Sequence, residues 1–207
     1  LYLFPTGGGE ALRYEFTDCR GGTIRVPVGS YEALCLNSDT ENVTYRNAER
    51  RETFEVTTRT ADLLSGLSVL GVLSDGVPRV DGTESERVIL PPDMLWSDCA
   101  ESVELKPTAG TPTVTLSPEM SICRYTVEIR NAANLKYVSG ISGSLSSMAE
   151  GLYPGVGCDA TCKTGATIPF DAAVSADKST VTGELFAFGC PSARKTHTLT
   201  VYAVLSD

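Results

Sequence analysis

From residue 122 to residue 130 the chain alternates one position at a time. Cys123, Tyr125, Val127 and Ile129 fall on one side, and Arg124, Thr126, Glu128 and Arg130 fall on the other. Successive side chains of an extended strand leave opposite faces, so a period of two predicts a strand with one wet side. Residues 196–205 repeat the pattern: Leu199, Val201, Ala203 and Leu205 share one face, and Thr198, Thr200 and Tyr202 share the other. Shorter runs rich in Thr, Val, Ile and Tyr predict further strands at 12–16, 23–28, 31–36, 43–45, 53–58, 88–90, 102–105, 113–116, 137–144, 164–170 and 179–188.

Turn chemistry separates these runs at short, even intervals: Gly21-Gly22, Gly29-Ser30, Asn37-Ser38-Asp39, Asp75-Gly76, Asp81-Gly82 and Ala176-Asp177-Lys178. Such spacing is that of sandwiches and barrels. Two short stretches, 61–64 and 146–150, read as single helical turns, too brief for a parallel α/β architecture. Residues 106–112 hold two prolines and a glycine and form the best linker. The predicted fold is all-β, with two tandem sandwich domains at 1–106 and 107–207. At about 100 residues and roughly seven strands each, they suit an immunoglobulin-like or transthyretin-like Greek key.

Charge narrows the function classes. Seventeen Lys and Arg against 26 Asp and Glu give a net charge of -9, which repels phosphate backbones, so nucleic acid is not an expected partner. The most apolar stretch, residues 63–73, is broken by Ser65, Gly66, Ser68 and Gly71 and falls far short of the roughly 20 residues that cross a bilayer. The first residues, Leu1 to Pro5, lack the basic region and cleavage site of a secretory leader. Seven cysteines cannot all pair internally, which predicts buried thiols together with one or two bridges.

No catalytic constellation is legible. His197 is the only histidine and reads as an ordinary strand-edge residue. Ser175-Ala176-Asp177-Lys178 and Ser192-Ala193-Arg194-Lys195 both spell Ser-x-x-Lys, but in turns between strands and not at a helix start. Cys158 and Cys162 have no second close cysteine pair or nearby histidine to complete a zinc site; a small loop bridge or two free thiols fits better. Asp18, Asp39 and Glu41 read as a solvated acidic turn, for no Asp-x-Asp-x-Asp-Gly calcium loop is present. No cofactor and no metal is expected, and the chain is read as a non-enzyme.

Several motifs carry a family likeness. Val26-Pro27-Val28-Gly29-Ser30-Tyr31, followed by Leu36-Asn37-Ser38-Asp39-Thr40-Glu41, resembles the first domain of Bacteroidetes fimbrillin-like anchor and minor-subunit lipoproteins. Val114-Thr115-Leu116-Ser117-Pro118, the strand 125–129, residues 143–151 and residues 183–189 then come in that family's order, and residues 199–207 resemble its late strand. The resemblance implies transthyretin-like sandwiches on an outer-membrane lipoprotein that anchors or joins fimbriae. The lipid-bearing cysteine is expected upstream of Leu1, because Cys19 follows no leader, and the family's last strands are expected beyond Asp207.

The expected function is that of a non-catalytic, cell-surface fimbrial anchor or minor pilin-like subunit, with fimbrial subunits as partners. The expected mechanism is strand addition, in which a sheet edge takes an extended segment from a neighbour. Thr198, Leu199, Val201, Ala203 and Leu205 are the candidate exchange segment, chosen for their terminal position and clean alternation. The rival expectation is a secreted surface module that binds glycan or host protein, with Trp96 and Tyr153 as contact aromatics.

Overall fold

The computed structural model describes residues 1–72, 76–107, 110–158, 160–191 and 196–206. In chain order the strands are β1 (Tyr2–Pro5), β2 (Leu12–Arg13), β3 (Gly29–Leu36), β4 (Val43–Arg46), β5 (Glu55–Thr58), β6 (Arg87–Val88) and β7 (Trp96–Leu105). There follow β8 (Glu119–Met120), β9 (Cys123–Ile129), β10 (Val138–Ala149), β11 (Gly151–Leu152), β12 (Gly165–Val174), β13 (Val181–Ala187) and β14 (Thr198–Leu205). They form three sheets, ordered β2-β1-β3-β7-β8, β11-β5-β4 and β14-β10-β12-β13-β9, with β6 added to β12 in a parallel pairing. The all-β sandwich reading holds.

Alternation decides what each face packs against. On β1, Tyr2 and Phe4 enter one core while Leu3, between them, enters another. The first core lies between the β1–β3 sheet and the β4–β5–β11 sheet and gathers Leu34, Val43, Phe54, Val56, Leu95, Ile122, Ala149, Leu152 and Phe188. Leu3, Tyr31, Ala33 and Val103 form the opposite face, packed against Tyr14, Ile24, Val26 and Leu116. A third core, with Met148, Ala166, Ile168, Phe170, Leu185 and Ala187, covers one face of the β10–β12–β13 sheet.

Several local expectations are corrected. Residues 23–28 and 113–116 are not strands; their apolar side chains Ile24, Val26 and Leu116 pack instead as cover on the face of β3 and β7 opposite the first core. Residues 146–149 are the end of β10 and not a helical turn. There the register against β12 shifts between Leu145 and Met148, and Ser147 takes a positive φ of 64°. Buried Glu86 holds this bulge: its carboxylate accepts from the Ser147 N–H at 3.0 Å, the Ser147 hydroxyl at 2.8 Å and the Thr167 hydroxyl at 3.0 Å. The helical turn expected at 61–64 is displaced to a 3-10 segment at Ser65–Leu70, and a further 3-10 turn lies at Arg51–Thr53. Cys158 bridges to Cys99 and not to Cys162, with Cα atoms 6.0 Å apart. Cys162 is a buried free thiol whose sulfur meets the Thr164 hydroxyl. Of the linker, residues 108 and 109 lie outside the described residues, as do Asp75 and the second Ser-x-x-Lys, Ser192 to Lys195.

Candidate functional site

β14 is the outermost strand of its sheet. It is bonded along one side to β10 from Val138↔Leu205 to Ser146↔Thr198, and among the described residues no strand pairs with its other side. Thr198, Thr200, Tyr202 and Val204 are half-buried. The apolar side chains point the other way: Leu199 is 39% exposed, Val201 37% and Leu205 68%, with Ala203 also exposed. The usual assignment of apolar to core and polar to water is thus inverted on this strand.

The reason lies in its neighbours. The inward face of β14 meets a polar layer on β10, where Ser142, Ser144 and Ser146 are buried, so small hydroxyl side chains suit that side. On the outward face Leu199 stands beside Leu145 and Ala203 beside Ile141. Val201 stands beside Gly143, over which the Phe170 ring lies, so the apolar stripe runs on from β14 into the third core.

β14 also lacks the devices that normally protect a sheet edge. An unpaired strand edge is guarded by charge, proline or shortness. From Thr198 to Leu205 there is no charged residue and no proline across eight residues. The opposite edge of the same sheet, β9, carries Arg124 paired to Glu184 at 2.5 Å and Glu128 paired at 2.8 Å to Arg130 just past its end. β2 and β8 are two residues each. Among the described strands, β14 alone combines length, neutrality and an outward apolar stripe.

Trp96 occupies a different place. It begins β7, is 44% exposed, and lines an open cleft of about 620 Å³ with Asn37, Asp39, Glu41, Asn42, Asp93 and Met94. The cleft wall is fixed from within: the Asn37 side chain accepts the Trp96 backbone N–H at 2.7 Å and donates to Asp39 at 2.7 Å and to the Met94 carbonyl at 2.9 Å. Asp93 receives the backbone N–H groups of Glu41 and Asn42. Tyr153 does not line this cleft. Its hydroxyl is pushed up to about 12, first by its contact with the Cys162 thiol and then by burial.

The remaining candidates are dispersed. Asp18 is held by Arg20, which keeps its carboxyl below the ordinary range, and is not drawn to Asp39 or Glu41. Among the described residues no three His, Cys, Asp or Glu side chains are grouped to hold a metal, and no helix is long and apolar enough to cross a membrane. His197 leads into β14 with its Nδ1 enclosed and unbonded among the described residues.

The chain is thus an all-β sandwich with an unguarded outer strand, and its motifs are those of the fimbrillin-like proteins. Residues 1–171 match the family described as domain of unknown function DUF5119, and the chain belongs to that family. It is 23% identical over 150 residues to a candidate fimbrium anchoring subunit of Bacteroides ovatus, Fim4B, a match over 72% of this chain and 40% of that protein. The chain therefore spans about 40% of that relative's length. Its fold is similar to the crystal structure of a candidate adhesin from Bacteroides ovatus, with a TM-score of 0.75 at 21% identity over 99% of this chain and 70% of that one. It is also similar to the fimbrial anchor protein Mfa2 from Porphyromonas gingivalis, with a TM-score of 0.56 at 16% identity over 97% and 67% of the two chains.

Proposed function

We propose that the chain is part of a non-catalytic, cell-surface fimbrial anchor or minor subunit, and that β14 is the edge at which a neighbouring subunit adds a strand. The names of Fim4B and Mfa2 support a fimbrial role and a surface location. The observation that carries the mechanism is the outward, uncharged apolar face of β14 beside its open backbone edge. An added strand gains main-chain bonds along that edge, and its alternate side chains cover Leu199, Val201, Ala203 and Leu205. At roughly 1.5 to 3 kcal/mol for each well-buried side chain, a strand supplying four gives about 6 to 12 kcal/mol before ordering costs, enough for a long-lived joint. In the same reading a lipid on a cysteine upstream of Leu1 holds the protein to the outer membrane. Residues 1–106 and 107–207 are then two sandwich bodies laced together by the short strands β6, β8 and β11.

The test is co-purification with a fimbrial shaft subunit. Leu199 and Val201 are part-exposed, so Lys at both positions can carry its charge out to water along its own methylene stem. With folding of the double variant checked by circular dichroism, capture of the partner falls at least about tenfold, equivalent to about 1.4 kcal/mol. Undiminished capture by the folded double variant contradicts the reading.

A second reading has its own observation, the exposed Trp96 in a cleft walled by amides and carboxylates. An aromatic face beside hydrogen-bonding groups suits a neutral saccharide. Saturable glycan binding lost on Trp96→Ala favours it; binding lost on Tyr153→Ala alone places the glycan outside the cleft.

A further inference from the structure

Five cysteines are free: Cys19, Cys35, Cys123, Cys162 and Cys190. Two of them meet. Cys123 opens β9 and stands opposite Ala187, the last residue of β13. The chain leaves β13 through Gly189, whose φ of 102° turns it back, and a Cβ built on Gly189 lies 3.7 Å from the Cys123 sulfur. Cys190 follows directly. Its sulfur is 3.7 Å from the hydroxyl of Tyr125, which shares the face of β9 with Cys123. The Tyr125 phenol is pushed up by burial and then by both thiols, first Cys190 and then Cys123. Both cysteines are exposed. The segment between Phe188 and Pro191 is held in place independently of them, by the Ala149 N–H on the Gly189 carbonyl at 2.9 Å and the Thr161 hydroxyl on the Cys190 carbonyl at 3.2 Å.

We propose that Cys123 and Cys190 form a second disulfide, made by exchange with the disulfide of an oxidised dithiol, which ties the segment leading into β14 to the edge strand β9. One thiolate attacks a sulfur of the external disulfide, giving a mixed disulfide and releasing one external thiolate; the other then attacks the mixed disulfide and releases the second. The protein loses two protons and two electrons, and the external disulfide gains both as a dithiol. An external disulfide can reach either one, since both cysteines are exposed residues. Cys162 also lies near this segment, next to the Thr161 that bonds the Cys190 carbonyl, but its thiol is buried and turned to Thr164, so it is the poorer partner. The bridge would pin the lead-in to β14 at Cys190, so that any opening of β14 begins beyond that residue. The proposal does not depend on strand addition.

The full chain is equilibrated in a mixture of oxidised and reduced glutathione, its thiols are alkylated in denaturant, and its peptides are read by mass spectrometry. The expected result is a Cys123–Cys190 linked peptide beside Cys99–Cys158, with the five free thiols less two leaving Cys19, Cys35 and Cys162 alkylated. The bridged form melts higher by about 5–10 °C than the Cys123→Ser variant under the same conditions. In that variant, whose change is at an exposed strand end, Cys190 becomes alkylable. Alkylation of both Cys123 and Cys190 in the oxidising mixture overturns the proposal, and so does a link from Cys190 to Cys162 or Cys19.

Discussion

Phe54 has no exposed surface and meets three aromatic neighbours, with ring centres 5.1 Å from Tyr2, 6.2 Å from Phe4 and 6.0 Å from Tyr45. These rings come from β1, β4 and the turn before β5, so Phe54 joins the two sheets of the first core. Phe54→Ala is expected to cost about 3–5 kcal/mol in urea unfolding. Tyr45 adds a pH dependence. Burial lifts its phenol from 10.0 to about 12, and its hydroxyl donates to the Asn37 carbonyl at 2.7 Å. The folded state therefore holds this proton more tightly than the unfolded chain. Its contribution is complete below about pH 10 and is lost as pH rises through about 12. Tyr45→Phe should be less stable at neutral pH by about 1 kcal/mol, for the lost hydrogen bond, and should lose stability less steeply across that alkaline range. At this scale the sequence is least legible. Alternation says that Leu199, Val201, Ala203 and Leu205 share a face, but not whether that face is dry. The serine layer of β10, far away in the chain, decides it.

Elements were more legible where both of their faces were specified locally. Strands β9 and β14 follow their period of two closely, while residues 146–150 mislead because Ser-Ser-Met-Ala-Glu has no periodic signal of its own. Its strand conformation is imposed by β12 and by the carboxylate of Glu86, 61 residues away from Ser147. Glycines show the same non-local control. The Phe170 ring on β12 lies across Gly143 on β10 and Gly183 on β13, where added Cβ atoms would meet it at 2.3 and 2.4 Å. Gly143→Ala and Gly183→Ala each displace that ring and should destabilise by roughly 1–3 kcal/mol, measured by denaturant midpoint. The Cys99–Cys158 bridge ties β7 to the loop after β11, and the pairing was not legible because residue spacing carries no information on which distant thiols meet. Cys99→Ser with Cys158→Ser should cost about 2–4 kcal/mol without altering the strand content seen by circular dichroism.

At the scale of the whole molecule, short strands cross between the two halves of the chain. β6 leaves the first half to pair with β12, β8 returns from the second to pair with β7, and β11 joins β5. The first core correspondingly combines Tyr2, Phe54 and Leu95 with Ile122, Ala149 and Phe188. Such lacing leaves few edges for another protein to use, and among the described residues β14 is a long one that is uncharged and pairs with no strand on its outer side. Its outward stripe is costly in water unless something seats on it, which is the physical reason to regard it as a joint. Hydrogen–deuterium exchange of the full chain, with and without a fimbrial shaft subunit, tests this most directly. Partner binding should slow the alternate amides of residues 198–205 that do not bond to β10, by tenfold or more. Slowing confined to the Trp96 cleft, with β14 exchanging as it does in the free protein, would contradict the assignment.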